Sequence, residues 1–109
     1  MPGSTIQMIM NQPLSNIEEY LIFKGLIKNS CEELNISQED EAYNFIQQTQ
    51  MQIETKFEEL SITLAPKKRK EILLQIMSYR NQLCTQLHQR YINSSTDNQS
   101  DTFNNLSGH

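Results

Sequence analysis

From Ile17 onward the apolar residues of this chain recur every three or four positions, the spacing of an amphipathic helix. Ile17, Tyr20, Leu21, Ile27, Cys31 and Leu34 form the first row, and Ile22, Phe23 and Leu26 widen it beyond half the circumference. Ser15 followed by Glu18 has capping-box spacing, and Asn35 closes the segment, which predicts a first helix over 15–35. Ser37 opens the next segment with Asp40 at the box position, and Glu39 and Glu41 place negative charge at the positive end of the helix dipole. Ala42, Ile46, Thr49, Ile53, Phe57, Leu60 and Leu64 then follow at near-heptad spacing, giving a second helix over 37–64. Pro66 suits the first turn of a third helix over 66–92, because its missing N–H has no intrahelical partner there. Ile72, Ile76, Tyr79, Leu83, Leu87 and Tyr91 make one row of that helix, with Leu73, Met77 and Cys84 beside it. Two adjacent rows predict two neighbours.

No strand-like alternation occurs, and the fold class is all-α. The second and third helices, each roughly 40 Å long at 1.5 Å per residue, are joined by almost nothing and must fold back as an antiparallel hairpin. The first helix covers the remaining apolar face. Ile46, Ile53, Phe57, Leu60, Ile76, Tyr79, Leu83 and Leu87 are the expected core. Residues 14–92 are thus read as one helical bundle domain. Residues 1–13, with Ile6, Met8, Ile9 and Met10 in no clear period, are read as a flexible apolar arm. From 93 to 109 the chain is Ser, Asn, Thr, Asp and Gln around Phe103 and Leu106, too little apolar surface to offset ordering entropy, which predicts a disordered tail.

Composition narrows the function classes. No run of about 18 apolar residues is present to span a bilayer. The start lacks a charged segment followed by an apolar one, so no secretory signal is expected and the chain is read as intracellular. Cys31 and Cys84 fall within helical apolar rows, as buried free thiols of a reducing compartment do. Asn-x-Ser triplets at Asn35, Asn93, Asn98 and Asn105 are then chance matches in an Asn- and Ser-rich chain. The only histidines are His88 and His109, and there is no Cys-x-x-Cys, His-Glu-x-x-His or Gly-rich phosphate loop. The paired acids Glu18-Glu19, Glu32-Glu33 and Glu58-Glu59 diverge by roughly 100° on a helix and face solvent. No catalytic residue, metal ligand or cofactor is expected, and the chain is read as non-enzymatic.

Charge layout says more than the net value of −4. Between Glu18 and Leu64 ten acids face three bases, a balance of −7; between Lys67 and Ile92 six bases accompany Glu71, a balance of +5. Lys67, Lys68, Arg69 and Lys70 crowd the start of the third helix, where cations oppose the dipole. One reading pairs them with Glu58 and Glu59. The run Pro66-Lys67-Lys68-Arg69-Lys70 also resembles a monopartite nuclear import signal, which implies recognition as an extended peptide by acidic pockets. A third reading makes it a phosphate-binding patch with Arg80 and Arg90, against which stand the acidic total and the lack of interleaved aromatics.

The wide apolar faces favour a partner. Tyr20, Ile22, Phe23, Leu26, Leu73 and Met77 are the candidate partner-facing residues, toward another protein or a second copy. The expected function is a helical scaffold or adaptor subunit of a multi-protein complex, nuclear or cytoplasmic, acting through helix–helix packing. A nucleic-acid-binding helical protein is the alternative, as is a small bacterial regulatory or secretion-chaperone-like protein.

Overall fold

The computed structural model describes the backbone over 2–107 and the side chains over 5–93. Among the described residues there are four helices and no strand: α1 (Pro2–Asn11), α2 (Ile17–Glu33), α3 (Glu41–Ser61) and α4 (Pro66–Ser107). The all-α expectation holds, with one helix more than the periodicity predicts. The expectation of a disordered tail falls on residues whose side chains lie outside the described ones.

The added helix is α1. Ile6 and Ile9, three residues apart, are buried, while Met8 and Met10 face out at 56% and 47% exposure. A helix of ten residues is marginal alone. It stands because its inner face packs on both α2 and α4. Thr5 Oγ1 also donates to the Glu33 carboxylate at 3.0 Å, tying the start of α1 to the end of α2. Within the segment read as an apolar arm, Pro2–Asn11 is therefore a helix that docks through Ile6 and Ile9.

Asn16, rather than Ser15, caps α2: its Oδ1 accepts the Glu19 N–H at 2.9 Å, and the Glu19 carboxylate reaches back to the Ser15 N–H at 2.7 Å. The capping-box logic is present, shifted by one residue. At the other end Asn35 takes a left-handed φ of 57°, with the Ile36 N–H on the Cys31 carbonyl and the Asn35 N–H on that of Glu32. This is a Schellman ending, and Asn tolerates the left-handed turn better than a branched residue does. Residues 37–40 form a turn, and Asp40 caps α3 by accepting the Ala42 N–H at 2.9 Å. The second predicted helix thus starts four residues later, since Asp40 outcompetes Ser37 as the cap. It ends at Ser61, leaving Leu64 at 88% exposure in the connector rather than in the seam.

α3 and α4 form the expected antiparallel hairpin and the largest interface. Ile46, Ile53, Phe57, Leu60, Ile76, Leu83 and Leu87 are buried as expected, and Tyr79 is partly buried against them. The two neighbours predicted for α4 are α3 and α1. α2 lies antiparallel along α3 and meets it less fully, with consequences for the surface between them. Among the described residues no helix is long and apolar enough to cross a membrane.

Candidate functional site

The basic run sits on the first turn of α4, and its four members do different things. Lys67, Lys68 and Lys70 are exposed. Lys68 makes an exposed pair with Glu71 at 3.9 Å, of the kind that contributes little. Arg69 turns inward, and its Nη1 donates to the Leu60 and Thr63 carbonyls, both at 2.8 Å. Those carbonyls close the C-terminal end of α3, where oxygen lone pairs lack intrahelical donors and the dipole favours a cation. The acceptor is thus the backbone end of α3 and not Glu58 or Glu59; Glu59 pairs with Lys56 at 3.3 Å instead. Replacing Arg69 by Ala is expected to lower stability by about 1–2 kcal/mol, the scale of charge-assisted hydrogen bonds discounted for partial exposure. Changing Lys67, Lys68 and Lys70 to Gln is expected to leave it unchanged or slightly raised. Urea unfolding of both variants decides, and equal effects would refute this division of labour.

The other two arginines behave similarly. Arg80 Nη1 donates to the Gln12 carbonyl at 3.1 Å, just beyond α1. Arg90 binds the Asp40 carboxylate at the cap of α3. The Asp40 carboxyl is held below its ordinary range, first by the Ala42 N–H and then by Arg90, so the pair is ionised at neutral pH. Arg80 and Arg90 therefore tie α4 to the connectors between the other helices, and Arg69 ties its first turn to the end of α3.

The apolar candidates divide in two. Tyr20 and Phe23 are in the core at 1% and 0% exposure and do not face a partner. Their rings lie tilted to each other with centroids 6.2 Å apart, and Tyr20 meets Phe57 at 5.7 Å. Tyr20 packs against α3, and α1, which a bundle of three helices would lack, packs on α2 as well. Ile22 and Met77 are exposed, and Leu26 and Leu73 are partly buried at the edge of the core.

An apolar concave surface lies between α2 and α3. Two adjoining hollows of about 580 and 510 Å³ run along it and share Leu21 and Lys24. Ile17 and Leu21, one turn apart, stand on its rim at 52% and 60% exposure. Between the hollows the Tyr20 hydroxyl donates to Glu54 Oε2 at 2.6 Å, and Lys24 reaches the same oxygen at 3.7 Å. Burial, reinforced by Glu54, pushes the Tyr20 phenol upward, so it stays a neutral donor. No family model, curated protein or solved structure matches the chain. The surface must be read from its own chemistry. Cys31 and Cys84 are buried free thiols; burial pushes both up, Cys84 to about 11, which keeps them protonated and poorly nucleophilic. His88 is exposed beside the Tyr91 ring, centroids 6.4 Å apart. Among the described residues no three His, Cys, Asp or Glu side chains gather in a metal-binding group.

Sequence reasoning missed Ile17 and Leu21 as rim residues because they share the apolar row that holds Tyr20 and Ile27. The signal that separates them is the width of that row: one helix cannot bury more than half its circumference against two neighbours, so its margins must be open.

Proposed function

We propose that the chain is a non-enzymatic helical adaptor that holds another protein through helix–helix packing as one subunit of a larger assembly. The observation that carries this reading is the α2–α3 groove, rimmed by Ile17 and Leu21 at more than half exposure. Exposed aliphatic side chains one turn apart beside a concave apolar floor are what a helix-in-groove interface uses. The nucleic-acid alternative is weakened by the arginines, since Arg69, Arg80 and Arg90 already bind acceptors within the chain. Nuclear import remains part of the reading through Lys67, Lys68 and Lys70, which are exposed, although they stand on a helical turn rather than an extended strand. Native mass measurement of the complex purified from its own cell is the test. A stoichiometric assembly of this 12.7 kDa chain with a second protein is expected. A lone monomer overturns the adaptor reading, and a mass of two copies replaces the partner with a homodimer.

A further inference from the structure

We propose that Met10, Cys84 and His88 hold one monovalent copper ion, Cu(I), where α1 packs on α4. This goes beyond the adaptor reading and does not depend on it. All three side chains line one hollow of about 470 Å³ at the seam of the two helices. Cys84 and His88 stand one turn apart on α4, where neighbouring Cβ atoms are roughly 5–6 Å apart. Two donors at that spacing grip a single ion, as the paired histidines of helical zinc motifs do. Cys84 is nearly closed to solvent at 5% exposure, whereas Met10 and His88 are exposed. The thiol thus forms the floor of the hollow, and the other two form the rim by which an ion enters. Met10 takes no part in the core that fixes α1, and its unbranched side chain has three bonds about which to turn toward the thiol.

The donor set chooses the ion. Thiolate and thioether are soft ligands that select Cu(I), and imidazole suits copper as well. Among the described residues that line the hollow none is charged, so no carboxylate draws a hard cation such as calcium or magnesium there. Burial holds the Cys84 thiol of the free chain protonated, pushed up to about 11. On binding, its S–H bond breaks, the sulfur lone pair bonds to copper and the proton passes to solvent, with no electron transferred. The Arg80 guanidinium, one turn earlier on α4, favours the thiolate so formed. Because the ligands come from two helices, the ion fastens to α4 a ten-residue helix that is marginal alone. In sequence only the Cys84–His88 half of the site is visible, since Met10 joins it through the docking of α1.

The test titrates the full chain anaerobically with Cu(I), kept reduced by ascorbate, against a coloured Cu(I) chelator as competitor. One ion per chain is expected, with a thiolate-to-copper charge-transfer band in the ultraviolet and slower amide exchange in α1. Zn2+ is expected to bind at least about tenfold more weakly. Cys84→Ser is expected to abolish the band. Met10→Leu and His88→Gln, at exposed positions where the fold tolerates exchange, are each expected to weaken binding at least about tenfold, and Met10→Leu to remove the slowing of exchange in α1. No stoichiometric ion, a band that survives Cys84→Ser, full affinity in Met10→Leu or His88→Gln, or zinc bound as tightly as copper each overturns the proposal.

Discussion

Phe23→Ala is expected to lower the unfolding free energy by about 3–5 kcal/mol, the cost of removing a large aromatic from a packed interior. Phe23 is wholly buried, its ring lies against Tyr20, and Tyr20 in turn packs on Phe57 of α3. The loss therefore falls where α2 meets the hairpin. Domains of this size have roughly 5–15 kcal/mol in all, so the variant should be partly unfolded near physiological temperature. Urea titration followed by circular dichroism measures it. A loss below about 1 kcal/mol would place Phe23 on an outer surface, as the candidate partner-facing set has it, and the burial of this side of α2 would be refuted.

Ile9→Ala carries the second largest effect, about 2–4 kcal/mol, and its consequence is local before it is global. Ile9 is fully buried, and with Ile6 it is the apolar attachment of a ten-residue helix. Without that anchor α1 lacks the packing that makes so short a helix persist. Amide hydrogen exchange in α1 is expected to approach the rate of an unstructured peptide, while the α3–α4 hairpin keeps its protection. Wild-type α1 amides that already exchange at that rate would refute the docked helix.

How far the sequence reveals this fold depends on whether a signal is local. The hairpin seam is legible because Ile46, Ile53, Phe57 and Leu60 repeat on one face with polar residues between them. The start at Pro66 is legible because proline is tolerated there for a single reason. The starts of α2 and α3 are legible only to within a few residues, since Ser15 and Asn16, or Ser37 and Asp40, are both competent caps and tertiary packing chooses between them. α1 is obscured because Met8 and Met10, which face outward, blur the row made by Ile6 and Ile9. The assignment of Tyr20 and Phe23 fails for a different reason: a wide apolar face does not say whether its neighbour is a partner or one of the chain's own helices. The basic run shows a third limit. Four consecutive cations look equivalent in sequence, yet only Arg69 turns inward and sets one guanidinium nitrogen, Nη1, on two carbonyls where α3 ends.

The three arginines of α4 also impose an order on how the chain can come together during synthesis. Arg69 leaves the ribosome first and secures a turn only six to nine residues behind it. Arg80 follows and must capture Gln12, 68 residues upstream, and Arg90 comes later still to capture Asp40, 50 residues upstream. α1 and α2 are thus made long before the groups that fasten their connectors exist. At about 5–20 residues per second, the interval from Gln12 to Arg80 is several seconds of translation. For that time Ile6, Ile9 and the apolar row of α2 belong to a nascent chain without its last helix, the state in which a holding chaperone finds its clients.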